Sequence, residues 1–186
     1  MSVAEEIIAL YGRRGAGAYF GERVSMTEHG LQAAHFARVQ GAPDHLVIAA
    51  LLHDVGHLLE AVPDAIEDWL SDAHHEEAGA RWLAQRFAAD VAEPVRLHVP
   101  AKRYLCAVDP HYFAQLSAAS LHTLKLQGGP MSPAEVARFE QEPYYRAAVR
   151  LRRWDDQGKV AGLATPGLRE YATLIDALAR PRTAAD

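Results

Sequence analysis

A chain of 186 residues, 49% apolar and 23% charged, has the make-up of a folded globular protein long enough to bury a continuous core without disulfides. A formal net charge of −5 excludes a general nucleic-acid binder, which carries a basic surplus to neutralise phosphates. No run approaches the roughly 20 apolar residues that cross a bilayer.

The first residues place acids ahead of a short apolar stretch, the reverse of a signal peptide. The lone Cys106 cannot form an internal disulfide and reads as a small core hydrophobe, so a cytoplasmic protein is expected. Apolar residues recur at three- and four-residue spacing throughout and no stretch alternates, which predicts an all-α fold. A short amphipathic helix is expected over 3–12, closed by Gly12, Gly15 and Gly17. A second begins at Thr27 and stops at Gly41-Ala42-Pro43. Asp44 then caps an apolar helix over 46–52 that runs into His53-Asp54-Val55-Gly56-His57. A helix opens at His74 or His75 and continues to residue 86, and another covers 91–104 with Pro100 as a kink or break. One helix is expected over 113–126, broken by Gln127-Gly128-Gly129-Pro130. Ser132, Pro133 and Glu135 mark a capped helix start. Helices near 133–141, 143–155 and 167–179 complete the chain, with a fraying tail over 180–186. No repeat or long linker divides it, so residues 1–186 are expected to form a single helical domain.

Ten histidines are an excess that calls for a use. In His53-Asp54, imidazole is a terminal metal ligand and carboxylate can span two metals with one oxygen to each. His57, four residues after His53, would lie on the same helical face. His75 shares a face with Gly79 and Trp82, and His98 shares one with Val91, Val95 and Lys102. His29 opens a helix whose apolar side includes Ala33 and Phe36. Asp155 aligns with Ala148 and Leu151, whereas Asp156 is turned away by about 100°. Four inward histidines and two carboxylates point to a metal cluster. His35, His45, His74, His111 and His122 fall on polar faces or in turns and receive no role.

The order His29, His53-Asp54, His75, His98, Asp155 resembles that of di-iron HD-domain proteins. A single-metal HD phosphohydrolase lacks the two middle histidines. Several stretches narrow the resemblance to the HD-domain oxygenases that cleave 1-hydroxyphosphonates: Tyr19-Phe20-Gly21-Glu22, Glu28-His29-Gly30-Leu31-Gln32, His75-Glu76-Glu77-Ala78-Gly79-Ala80, Ala101-Lys102-Arg103-Tyr104-Leu105, Gln127-Gly128-Gly129-Pro130-Met131 and Trp154-Asp155-Asp156. Pro100 departs from that pattern, where alanine is expected, and predicts a bend just after His98.

The resemblance implies a single HD-domain helical bundle around a mixed-valence Fe(II)/Fe(III) pair. With O2 as co-substrate the pair would oxidise a small 1-hydroxyphosphonate, such as 2-amino-1-hydroxyethylphosphonate, to a carboxylate and phosphate. One iron would be held by His29, His53, Asp54 and Asp155, the other by Asp54, His75 and His98. Asp54 and His57 are the candidate catalytic residues. Lys102, His57 and Ser120 would meet the phosphonate as positive or hydroxyl donors. Read alone, Lys102 also fits a solvated surface lysine and Ser120 a close helix contact. By resemblance, Tyr19 would cover an open position on the second iron until substrate displaces it, and Glu22 would meet a substrate ammonium. In related enzymes that pocket takes a trimethylated ammonium, which wants aromatic faces; Tyr19, Phe20 and Tyr104 are the candidates here. The alternative reading is a two-metal phosphohydrolase of the same fold, acting on a nucleotide or small phosphate ester.

Overall fold

A computed structural model describes residues 1–17, 19, 22–59 and 74–181. Phe20, Gly21 and the 182–186 part of the expected tail lie outside the described residues. The described chain is all-α and contains no strand.

Capping chemistry sets the first two helices. Ser2 and Glu5 form a reciprocal capping box at the start of α1 (Val3–Arg14), and Ser25 and Glu28 form another at the start of α2 (Met26–Val39). Each satisfies backbone donors that a helix start leaves open. Helix α3 (Asp44–Leu52) is buried on all sides from Leu46 to Leu52, as a central helix must be when it is apolar around its whole circumference. Asp44 is its first residue, after Pro43, and does not cap it by a side-chain bond. α3 packs against α2, against α6 (Ala89–Arg96) and against α11 (Tyr145–Gln157).

The helix carrying His53 does not continue to His57. It ends at Leu52, His53 and Asp54 form the turn, and α4 (Val55–Leu59) restarts beyond it. α4 packs on α5 (His75–Ala84). At that contact a Cβ on Gly56 would stand 2.0 Å from the His75 carbonyl oxygen, so only glycine permits the approach.

The expected single helix over 91–104 is two, α6 and α7 (His98–Val108), joined at Leu97. Pro100 explains the position of the break. The donor it lacks would have bonded the carbonyl four residues back, at Arg96, so α6 ends there, ahead of His98. Within the first turn of α7 the missing donor costs little. The expected helix over 113–126 is likewise two, α8 (Pro110–Ala114) capped by Asp109 and α9 (Ala118–Leu126) capped by Ser117. Ser132 and Glu135 form the expected box on α10 (Pro133–Phe139). The last predicted helix begins as a 3-10 turn, Leu168–Tyr171, before α12 (Ala172–Leu178).

Candidate metal centre

Six side chains from five places in the chain meet inside the bundle. His29 comes from the first turn of α2, His53 and Asp54 from the turn after α3, His75 from the start of α5, His98 from the start of α7 and Asp155 from the last turn of α11. All six are buried. Close approach of α2 to α3 is built into Gly30, where a Cβ would lie 2.6 Å from the Leu51 carbonyl oxygen.

The cluster has two halves. Nε2 of His29 and Nε2 of His53 are 3.1 Å apart, and Nε2 of His75 and Nε2 of His98 are 3.2 Å apart. Asp54 lies between the pairs. Its Oδ2 is 3.5 Å from His29 and 3.3 Å from His53, and its Oδ1 is 3.3 Å from His75 and 3.5 Å from His98. Asp155 Oδ1 joins the first half, 3.4 Å from His29 and 3.8 Å from His53.

Backbone carbonyls orient three of the rings. Nδ1 of His29 meets the Gly158 oxygen at 2.9 Å, that of His53 the Ala50 oxygen at 2.8 Å, and that of His98 the Val95 oxygen at 2.7 Å. A carbonyl only accepts, so each Nδ1 carries the proton and each Nε2 presents a lone pair to the cluster. Burial works against charge on His29, yet Asp155 and Asp54 beside it push its imidazole up to about 9, so the cluster draws positive charge, a proton or a metal ion, between its facing nitrogens. Asp54 Oδ2 and Asp155 Oδ1 are buried without a hydrogen-bond partner among the described residues. Such orphaned atoms are costly unless a ligand satisfies them. The groups His29–His53–Asp54 and Asp54–His75–His98 are therefore able to hold a di-metal site. Burial opposes charge on Asp54 and Asp155, yet His53 beside the first and Arg152 beside the second hold both carboxyls well below the usual range.

A cavity of about 40 Å³ opens over the cluster, the space of roughly three water centres. Asp54, His57, His75, His98 and Asp155 line it, together with Lys102, Ser120, Thr123, Arg152 and Lys159. His57 is stacked on His75 with ring centroids 3.8 Å apart. Burial, then the nearby His75, keeps its imidazole well below the usual value and hence neutral. Lys102 is buried and donates to Thr123 Oγ1 at 2.8 Å. Its place one turn beyond His98 survives Pro100 because the break falls upstream of both.

Tyr19 stacks on His29 at 3.8 Å, and burial, then the nearby Asp54 carboxylate, keeps its phenol well above the usual value and hence protonated. It thus lies beside the cluster and lines the cavity over it. Glu22 pairs with Lys159 at 3.6 Å. Tyr104 donates to Glu140 and packs with Phe139 and Tyr145, away from the cavity.

Sequence reasoning missed Arg152, Lys159, Thr123 and Gln127, all of which line the cavity. Arg152 had a readable signal: three residues before Asp155, it shares that face, and its Nη1 is 2.7 Å from Asp155 Oδ2. It also bonds Asp156 and Tyr112. Lys159 lies beyond the helix end, where periodicity carries no information. The Lys102-Arg103 and Gln127-Gly128-Gly129 segments are in contact, with Arg103 Nε donating to the Gly129 oxygen at 2.8 Å.

The HD domain model matches residues 19–155, and the chain belongs to the HD domain family. More narrowly, it is 44% identical over 174 residues to the [1-hydroxy-2-(trimethylamino)ethyl]phosphonate dioxygenase (glycine-betaine-forming) of Leisingera caerulea, covering 94% of this chain and 89% of that protein. It is 49% identical over 160 residues to the hydroxymethylphosphonate dioxygenase of Gimesia maris, covering 86% of this chain and 80% of that protein.

Proposed function

We propose that this chain is an iron-dependent oxygenase that uses O2 to cleave the C–P bond of a small 1-hydroxyphosphonate, yielding a carboxylate and inorganic phosphate. The observation that carries the reading is the cavity, which is lined by Asp54, His75, His98 and Asp155 of the cluster and by buried Lys102 and Arg152. The two similar phosphonate dioxygenases support it.

His29, His53, Asp54 and Asp155 would hold one iron, and Asp54, His75 and His98 the other, with Asp54 between them. Three or four protein ligands per metal leave positions open for substrate and O2. When bound, a mixed-valence Fe(II)/Fe(III) pair supplies the electron transfers that make O2 competent to oxidise C1. The atoms balance without another reactant. A C–H, the C–P and the O–O bond break, a C–O and a P–O bond form, O2 accepts the four electrons, and a proton is released with the carboxylate and hydrogen phosphate.

The protein's part is binding and orientation. Lys102 and Arg152 supply charge-assisted donors to the phosphonate. The Ser120 hydroxyl and neutral His57 add hydrogen bonds near the reacting end, and Tyr19 covers the cluster until substrate arrives. Residues 1–186 act as one HD domain in this reading. It works in the cytoplasm on a small organophosphonate, with no nucleic acid or membrane as partner. Among the described residues no helix is long and apolar enough to cross a membrane.

The test is iron reconstitution followed by phosphate assay on a panel of 1-hydroxyphosphonates and phosphate esters, with and without O2. Phosphate release from a hydroxyphosphonate matched by O2 consumption is expected. Release that continues in strict anaerobiosis, or is confined to phosphate esters, overturns the oxygenase reading in favour of hydrolysis.

A further inference from the structure

Three of the four clustered histidines share one orienting device and the fourth does not. Nδ1 of His29, His53 and His98 each meets a backbone carbonyl oxygen, at 2.9, 2.8 and 2.7 Å. Nδ1 of His75 is buried and has no hydrogen-bond partner among the described residues. Beside it stands a carboxylate. Glu76 Oε2 is 3.6 Å away and is itself buried without a hydrogen-bond partner among the described residues. Two orphaned atoms of complementary type thus adjoin each other behind one ligand of the second half of the cluster.

Glu76 does not owe its place to the helix start. An acid in the first turn of α5 is favoured by the helix dipole, but Glu77 meets that need from the surface, with its side chain 56% exposed and Arg81 3.7 Å away. The Glu76 side chain is only 7% exposed, and a carboxylate is costly to bury without a compensating donor. Its other oxygen, Oε1, lies 3.9 Å from Nδ1 of His74, which leaves Oε2 for His75. The His75 ring is fixed on its remaining sides. Its Nε2 is 3.2 Å from Nε2 of His98 and 3.3 Å from Asp54 Oδ1, and one face is stacked on His57. An imidazole that binds a metal through Nε2 carries its proton on Nδ1, and that N–H requires an acceptor. Closing the 3.6 Å separation by about 0.7 Å makes the bond.

We propose that Glu76 is a positioning residue for the second metal: its carboxylate accepts the Nδ1–H of His75, aims the ring and makes Nε2 a stronger ligand than a histidine tied to a carbonyl. The inference rests on the di-iron part of the proposed function and goes beyond it, because it makes the two metal places unequal. In the first half, the negative charge of Asp155 is answered by Arg152, with Nη1 2.7 Å from Oδ2. In the second, a carboxylate behind the ligand favours the higher metal charge. Glu76 therefore lowers the reduction potential of the metal held by His75 and His98, relative to the same place without it.

The experiment titrates Fe(II) anaerobically into the metal-free protein against a competing chelator, then records the reduction potential and spectroscopic signature of the loaded pair. Glu76→Ala removes both acceptor and charge, and should weaken one of the two metals by about ten- to hundredfold while sparing the other. Glu76→Gln keeps an acceptor and removes the charge. It should recover most of the affinity yet raise the potential and shift the spectrum. Glu77→Gln, at the surface of the same turn, should change none of these. The Tm of the metal-free protein separates a folding effect, because Glu76→Gln relieves a buried charge and should hold or raise it. Equal weakening of both metals in Glu76→Gln, or wild-type binding and potential in Glu76→Ala, overturns the proposal. So does a metal-free Tm that falls in Glu76→Gln with wild-type metal affinity. O2-dependent turnover by variants that bind iron like the wild type sinks this inference and leaves the oxygenase reading standing. Selective weakening of one metal, in a chain that releases phosphate only from esters and without O2, sinks the oxygenase reading and retains the role of Glu76.

Discussion

Nδ1 of His53 is tied to a carbonyl of the helix that precedes it, and Nδ1 of His98 is tied to the Val95 carbonyl near the end of α6. Each ring is therefore aimed by a group three residues upstream, a local device that needs no distant partner. Lys102 has no such anchor and takes its character from burial. Burial, with the Arg152 guanidinium adding to it, pushes the Lys102 ammonium down to about 7. Below that pH the side chain is charged and able to hold a phosphonate dianion; above it the side chain is neutral. The KM for a phosphonate is thus expected to climb as pH rises through about 7, with the bound dianion shifting the same limb upward in kcat. Lys102→Met should raise KM by about ten- to hundredfold, the worth of a charged hydrogen bond, and flatten that limb while iron content is unchanged. A KM profile that keeps its shape in the variant would remove Lys102 from phosphonate binding, and collapse of the iron content would place it with the metal instead.

Helix α5 reaches the cluster because two glycines let it. Gly56 in α4 and Gly79 in α5 face each other, with the Gly79 nitrogen 3.1 Å and the His75 carbonyl oxygen 2.0 Å from where a Gly56 Cβ would stand. The obstructing atoms are backbone, so α5 itself must move to admit a methyl group. Gly56→Ala is expected to cost about 1–3 kcal/mol through overpacking, and roughly 2–4 °C of Tm per kcal/mol for a chain of this size. It should also lower iron per chain, since His75 opens α5 and moves with it. Gly79→Ala, whose nearest contact would be 3.2 Å, should be milder on both counts. Calorimetry and iron quantification on the two variants check this; full iron loading in Gly56→Ala would show that the close contact does not position His75.

The bundle buries six ligand-type side chains at its centre, a composition that an apolar core alone does not stabilise. Metal that binds the folded chain but not the unfolded one stabilises it by mass action, about 2.7 kcal/mol at a hundredfold excess over Kd. Stripping the metal should lower Tm by roughly 5–10 °C, and adding iron back anaerobically should restore it. Asp54→Asn, which removes the carboxylate between the two histidine pairs, should make Tm insensitive to chelation. If chelation leaves the wild-type Tm in place, the cluster is held by the surrounding core alone.

Much of this was legible in the chain because its information is local. Caps at Ser132 and Glu135, the all-round apolar run of α3, and the inward spacing of His75, His98 and Asp155 follow from helical geometry over a few residues. Histidine at three separate inward positions, His29, His75 and His98, together with the His53-Asp54 pair, already implied a cluster. Breaks and long-range pairs were not legible. The split at Leu97, and the Asp109 and Ser117 caps that divide one expected helix into two, depend on competition among neighbouring hydrogen bonds that periodicity averages out. Tyr19 over His29 crosses a loop where helical periodicity carries no information, and Lys159 beside Glu22 joins residues far apart in sequence. The sequence by itself determined which residue types converge, since buried ligands must sit on inward helical faces. Only the tertiary structure decided which charge answers which, because an ion pair depends on distance through space and sequence spacing carries no record of it.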